Sequence, residues 1–313
     1  MSSLPIQLQR VGVPPIKCQG IKTKLVPFIL RQIQWSASPN ARWIEPFVGS
    51  GVVGFNLAPH RALFTDSNQH IIRFYQALQQ GQIDRATVQT FLQQEGDRLR
   101  HTGADYYYQV RQRFNQTGDP LDFLFLNRAC FNGLMRFNRQ GGFNVPFCRK
   151  PQRFAPSYIT KIANQVAWVA QQMQGKDWEF RTAPWQSTLQ QVAAQDFVYL
   201  DPPYIGRHTD YYNTWDEAEA RHLAAIAHSL PGGIALSMWA GNAHRQNDHL
   251  DHCWQGMDMR LASHFYHVGS QERWRGAVTE ALLIKPGYSV PVSPADPPLP
   301  AAPTIHLPRS PAL

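Results

Sequence analysis

The chain has 313 residues, room for one large α/β domain or for a domain with a substantial insertion. Apolar residues make up 43%, enough for a sizeable core, and 30 Lys and Arg against 22 Asp and Glu leave a net charge of +8, which suits an anionic partner such as nucleic acid. Cys18, Cys130, Cys148 and Cys253 are scattered without a C-x-x-C pair, and neither a secretory signal nor an apolar run of membrane-spanning length occurs. A disulfide framework, a zinc or other metal site and a membrane protein are therefore not expected; a soluble cytoplasmic protein with free thiols is.

Residues 1–15 form a polar, Pro-punctuated arm. The Lys-rich turn from Lys17 through Gly20 and Lys22 to Lys24 then leads into an amphipathic helix at Leu25–Leu30. A solvated loop and a turn that approaches a charged ligand are both compatible with this segment.

Arg42–Phe47 reads as a strand running into Val48-Gly49-Ser50-Gly51-Val52-Val53-Gly54, a glycine-rich turn that opens an apolar helix. That is the first β-α unit of a Rossmann-type fold, in which backbone N–H groups and a helix N-terminus face a ligand. Phe47 offers a ring to an adenine. Asp66, 17 residues beyond Gly49 and at the end of the apolar run Ala62–Thr65, sits at a spacing suited to ribose hydroxyls. Gly49, Gly51 and Gly54 also spell G-x-G-x-x-G, so a nicotinamide cofactor competes with S-adenosylmethionine at this point.

Residues 70–125 show apolar spacings of three and four and read as mainly helical, with Tyr106, Tyr107 and Tyr108 as packing residues. Residues 128–161 differ in character. Seven cations (Arg128, Arg136, Arg139, Arg149, Lys150, Arg153 and Lys161) face no acid over 34 residues, with Phe131, Asn132, Asn138 and Asn144 interleaved. Gly141-Gly142 marks a turn between two short extended runs, so a β-hairpin for phosphate contacts, stacking and base-edge readout is expected.

A helix near 157–173 and an edge strand at Phe180–Thr182 precede the buried strand Phe197–Leu200, which ends in Asp201-Pro202-Pro203-Tyr204. An ionised Asp201 and the Pro202 carbonyl are two acceptors held side by side, and Tyr204 supplies a flat face. Such a set binds both hydrogens of an exocyclic NH₂, turns the nitrogen lone pair out of ring conjugation and presents it to an electrophile. It favours S-adenosylmethionine over a nicotinamide cofactor.

The loop from Ile205 to Trp215 is expected to close over a substrate, with His208 as a candidate base, and Asp216 with Glu219 reads as a capping box for a helix running to Leu230. Strands follow at Ile234–Met238, Ser263–Val268 and Thr279–Ile284, the last two joined by a basic loop holding Arg273, Trp274 and Arg275. From Pro286 onward nine of 28 residues are Pro, so a disordered tail is expected.

In this order the segments resemble the Dam-like family of DNA adenine-N6 methyltransferases over about residues 16–285. Lys17-Cys18-Gln19-Gly20-Ile21-Lys22 is similar to its N-terminal cofactor motif, Glu45-Pro46-Phe47-Val48-Gly49-Ser50-Gly51 to its S-adenosylmethionine loop, and Asp66-Ser67-Asn68 to its ribose site. Asn127-Arg128, Phe131–Asn138 and Gly142-Phe143-Asn144-Val145-Pro146-Phe147 are similar to its target-recognition hairpin. The resemblance implies a Rossmann-like methyltransferase sheet with an inserted, mainly helical recognition domain. Residues 1–75 and 162–285 would form the catalytic part, 76–161 the recognition insert and 286–313 the tail.

It further implies S-adenosyl-L-methionine held by Lys17, Gly20, Lys22, Glu45, Phe47, Gly49, Gly51, Asp66 and Asp201. Catalysis would fall to Asp201, Pro202 and Tyr204. Double-stranded DNA would be met by Arg128, Phe131, Asn132, Leu134, Arg136, Asn138, Asn144, Pro146, Arg149 and Lys150. Phe131 and Asn132 match positions that enter the base stack, Arg136 a guanine-reading position, and Leu134 with Pro146 positions on a thymine methyl, so a GAT-containing site is implied. A flipped adenine, a bacterial-type nucleoid setting, a monomer and a cognate restriction endonuclease sharing the site without contact complete the expectation. Cys18 and Met238 depart from the Trp and Asn usual in the family. Methylation of cytosine N4, an RNA adenine or a protein glutamine remains the alternative.

Overall fold

The computed structural model describes residues 3–204, 215–242, 247, 249–265 and 277–291. The expected closing loop with His208, the basic loop at Arg273, Trp274 and Arg275 and the tail beyond 291 lie outside the described residues.

The chain opens with β1 (Ser3–Leu4), α1 (Val26–Gln32) and β2 (Trp35–Ser36), then β3 (Trp43–Glu45), α2 (Val52–Leu57), β4 (Arg61–Asp66) and α3 (Gln69–Gln79). Three helices follow, α4 (Arg85–Thr102), α5 (Ala104–Thr117) and α6 (Pro120–Ala129), and after a loop α7 (Pro156–Met173). The remainder is β5 (Asp177–Thr182), α8 (Trp185–Leu189), β6 (Phe197–Leu200), α9 (Glu217–Ser229), β7 (Gly233–Asn242), α10 (His249–Cys253), β8 (Asp258–Phe265) and β9 (Ala277–Ile284).

Seven strands form one sheet in the order β5-β4-β3-β6-β7-β9-β8, parallel from β5 to β7 and antiparallel where β9 meets β7 and β8. Strand order reverses between β3 and β6, and crevices of this kind outside the carboxyl ends of parallel strands hold ligands. This is the expected Rossmann-like α/β sheet, parallel at its centre.

Alternation along the short central strands fills both faces. Trp43 stacks on Phe197 at 5.3 Å and on Tyr199 at 6.0 Å on the face covered by α1, α2, α3 and α7. Ile44, Val198 and Leu200 pack with Leu223, Ala227 and Trp254 on the other. The glycine turn holds α2 close to the sheet. Gly51 adopts φ +70 as the helix N-cap, and a Cβ on Gly54 would lie 2.5 Å from the Phe64 ring and 2.7 Å from Glu45 Oε1.

The insert α4–α6 is tied together by two buried acids. Glu95 accepts from Tyr106 at 2.7 Å and from Arg113 at 2.8 Å, and Arg113 Nε reaches Asp122 at 2.7 Å. Tyr106 and Tyr107 are buried, as packing residues should be, while Tyr108 is exposed. Residues 75/76 and 161/162, the boundaries expected from the sequence, fall inside α3 and α7.

The segment after α6 doubles back as a short hairpin: the Asn144 amide donates to the Arg136 carbonyl at 3.1 Å and the Asn138 amide to the Gly142 carbonyl at 2.8 Å, around the bridge Phe137–Phe143, with a second bridge at Cys130–Phe147. Asn115 of α5 holds the outward-facing main chain of Phe143, accepting its N–H at 2.8 Å and donating to its carbonyl at 3.2 Å. Two details differ from expectation. The capping box is half formed. Asp216 accepts from the Glu219 amide at 2.9 Å, but the Glu219 carboxylate turns away to the Trp185 indole at 3.2 Å. Finally α8, which carries that Trp185, was not expected at all.

Candidate active site

The carboxyl ends of β3, β4 and β6 and the turn before α1 converge on one polar cluster. Asp201, immediately after β6, lies 3.0 Å from the Nζ of Lys22, and Lys22 is almost fully buried. Gly20, at φ +73, bends the arm so that its carbonyl also accepts from Nζ at 3.2 Å. Nζ donates to the Tyr204 hydroxyl at 2.5 Å and stands 4.8 Å from the centroid of that ring. The hydroxyl in turn donates to Glu280 Oε2 at 2.8 Å. Loss of hydration raises the pKa of Asp201; Lys22 opposes this and Glu280 adds to it. Pro202 is buried beside it, and the Tyr199 hydroxyl shares a 2.7 Å hydrogen bond with Ser237 between β6 and β7.

One strand away, Asp66 at the end of β4 accepts from the Gly49 amide at 3.0 Å and the Asn68 amide at 2.8 Å. Burial pushes its carboxyl up to about 6, those two amides holding it down from higher values. Asn68 then caps α3 by accepting from His70 N at 3.0 Å. Phe47 is half-buried against two tryptophans, Trp215 edge-on at 5.7 Å and Trp185 at 6.4 Å. Glu45 is buried with its carboxyl on the Trp43 indole at 2.7 Å and on the Gly54 amide, and burial raises it to about 8. Its visible work is to latch α2 onto β3. Cys18 lies against the turn, 3.6 Å from where a Cβ on Gly49 would be, and burial raises its thiol.

Lys17 does not join this cluster. Its main chain is gripped by the Asn127 carboxamide, with bonds of 2.8 and 2.9 Å, and its side chain turns into a separate cavity of about 360 Å³. That cavity is lined by Lys17, Arg128, Lys150, Arg153, Gln152 and Tyr158 among others, with no acid among the described residues. Burial, then Arg128 and Arg153, push the Lys17 ammonium down to about 8. Arg128 is itself buried, bonded to the Pro15 carbonyl and to Gln165 Oε1, and its Nε has no partner. The expected surface contact from Arg128 is thus a cavity wall, because its guanidinium also closes the N-terminal arm over α7.

The loop after α6 gathers the other expected residues. Phe131 is half-exposed at 51% and Asn132 beside it takes φ +54; the Phe131 amide donates to the Pro146 carbonyl at 2.9 Å. Arg136 Nε donates to Asn144 Oδ1 at 2.8 Å, so these two are aimed as a pair next to half-buried Leu134. Asn138 shapes the turn, its oxygen accepting from the Gln140 and Gly142 amides at 3.0 and 2.8 Å. Arg149 and Lys150 are exposed.

Glu280 and the Phe47–Trp185–Trp215 cage escaped sequence reasoning. Glu280 is one acid inside a largely apolar strand, 76 residues from the tyrosine it holds, and no local pattern marks it. Among the described residues, no helix is long and apolar enough to cross a membrane.

The sequence matches the family described as D12 class N6 adenine-specific DNA methyltransferase over residues 19–269. It is 34% identical over 285 residues to a DNA adenine methylase of Vibrio cholerae serotype O1, covering 86% of this chain and 94% of that protein. A DNA adenine methylase of Serratia marcescens is 32% identical over 198 residues, 60% of this chain and 68% of its own. A type II methyltransferase of Methanocaldococcus jannaschii is 27% identical over 212 residues, covering 61% and 68%.

Proposed function

The chain belongs to the D12 class of N6 adenine-specific DNA methyltransferases, and we propose that it flips an adenine out of duplex DNA at a GAT-containing site and methylates N6. The observation that carries this reading is Asp201, immediately after β6 at the strand-order reversal, held by Lys22, which also bonds the Tyr204 hydroxyl. The family generally uses S-adenosylmethionine, and the residues present fit it. Asp66, Asp201 and Glu280 against Lys22 make an acid-rich pocket in a chain of net charge +8, suited to a cationic nucleoside. We assign Asp66 to its ribose hydroxyls, Phe47 within the tryptophan cage to its adenine, and Gly49 with Lys22 to its methionine end. Bound there, the cofactor supplies an electrophilic methyl group.

Asp201 and the Pro202 carbonyl accept the two N6 hydrogens and point the nitrogen lone pair at that methyl group, while Tyr204 lies along the base. The amine becomes acidic once methylated, and its proton leaves to water. Asp201 therefore works by orientation and charge, and no strong base is needed.

On the DNA side, the exposed Phe131 just after α6 is the wedge, with Asn132 beside it, and flipping needs such a group to fill the gap. Arg136 reads a guanine, with Leu134 and Pro146 on a thymine methyl. The cation-lined cavity of Lys17, Arg128, Lys150 and Arg153 supports a backbone phosphate seat. Lys150→Gln is expected to weaken binding uniformly over DNA sequences and to reduce the slope of log affinity against log salt by about one. Titration of duplex binding at several salt concentrations reads both numbers. We also assign residues 76–161 to recognition and 1–75 with 162–285 to catalysis.

The reaction is tested by digesting duplex DNA to nucleosides after incubation with protein and S-adenosylmethionine. N6-methyladenine is the expected product. N4-methylcytosine in its place, or methylation confined to RNA, overturns the reading.

A further inference from the structure

We propose that Glu280 is a positioning residue for methyl transfer, holding the Tyr204 hydroxyl and sharing Lys22 so that Asp201 is left to the target amine. This rests on the adenine-N6 reading of the same pocket. Glu280 sits on β9, opposite Trp239 of β7 and Ala262 of β8, and is 3% exposed. The next four residues, Ala281 to Ile284, are all buried and apolar. A carboxylate in such a strand is costly unless it is bonded. Its partners lie across the site: the Tyr204 hydroxyl at 2.8 Å and Lys22 Nζ at 4.0 Å.

The geometry gives each group a definite duty. A phenol has one hydrogen, and here it goes to Glu280 while the oxygen accepts from Lys22. The tyrosine ring is thus pinned at its far end by two segments, the N-terminal arm and β9. Lys22 is divided between Asp201 at 3.0 Å and Glu280 at 4.0 Å. Remove the charge on Glu280 and the pull that draws the ammonium away from Asp201 weakens, so it holds Oδ1 of Asp201, already 3.0 Å away, more tightly and competes with the amine that must bind there.

The test uses the full chain with Glu280→Gln, which keeps size and an acceptor oxygen for Tyr204 and removes only the charge. Steady-state kinetics on unmethylated duplex should show kcat lowered by about tenfold to a hundredfold, with KM for DNA and for S-adenosylmethionine nearly unchanged, as expected for misplacement without lost binding. The pH profile adds a readout that a purely structural residue would not move. Asp201 acts ionised, so activity rises with pH through its pKa. The groups that face it are Lys22 from the arm, Glu280 from β9, Glu45 from β3, Cys18, Tyr199 and Tyr204. Glu280 is the one removed, and because it pushes Asp201 up, the acid limb should move to lower pH in the variant.

Tyr204→Phe provides a second approach that leaves β9 intact. It should also lower kcat with the KM values kept, and combined with Glu280→Gln the loss should fall short of the product of the two single losses. Wild-type kcat and an unmoved acid limb in Glu280→Gln, or wild-type kcat in Tyr204→Phe, overturn the proposal. A wild-type protein that leaves duplex adenine unmethylated overturns the reaction reading together with the role; an active wild type beside an unaffected Glu280→Gln overturns Glu280 alone.

Discussion

Asp201→Ala is expected to lower methyl transfer by about a thousandfold while cofactor and duplex DNA still bind, the scale of losing one preorganised group at a reacting centre. The expectation rests on what the carboxylate does and on what survives without it. In the proposed reaction it is one of two acceptors on the target amine, and nothing else described in the pocket can replace its oxygen at that place. The fold should tolerate its removal, because Lys22 keeps the Tyr204 hydroxyl at 2.5 Å and the Gly20 carbonyl at 3.2 Å. Asp66 and the glycine turn are bonded to each other and not to Asp201, so the nucleoside end of the pocket should stand. Equilibrium binding of S-adenosylmethionine and single-turnover methylation, measured on the same preparation, separate the two effects. Turnover retained in the variant refutes the role given to Asp201.

Arg136→Ala should cost about 1–3 kcal/mol of discrimination at one base pair and leave the remaining positions of the site as selective as before. Arg136 is half-buried, and its Nε donates to Asn144 Oδ1 at 2.8 Å and its Nη2 to the Asn144 carbonyl at 3.4 Å, which fixes the plane of the guanidinium. A fork held in this way suits the O6 and N7 acceptors of guanine. A panel of duplexes with single substitutions through the site reads the effect. Uniform weakening across the panel would make Arg136 a phosphate contact instead.

Much of the site was legible because it is written in local patterns. Phe197–Leu200 is an apolar run of strand length ending in Asp201-Pro202-Pro203-Tyr204, and strand, glycine turn and helix stand in unbroken order from Trp43 to Leu57. The aromatic spacing of α3 likewise reads directly as a buried face. What escaped is non-local. Three asparagines do the work of strand partners: Asn56 grips the main chain of Gly12, Asn127 that of Lys17 and Asn115 that of Phe143. A carboxamide offers a donor and an acceptor just as a strand residue does, but no periodicity announces it. The Asn127 grip is what carries Lys17 away from the cofactor turn and into the cavity beside Arg128. Arg128 looked like one more surface cation, and its burial follows from the N-terminal arm crossing α7, a contact spanning 113 residues. Glu280 is hidden for the same reason, since its partners are Lys22 and Tyr204 from distant parts of the chain.

Methylation of adenine N6 in this pocket, at a site read by the loop after α6, can be checked in a single experiment. The most direct measurement is to incubate the protein with unmethylated plasmid and S-adenosylmethionine and to map modified bases by long-read sequencing. N6-methyladenine at one repeated motif with a GAT core is the expected result. Methyl groups on cytosine, or adenine methylation scattered without a common motif, would contradict it.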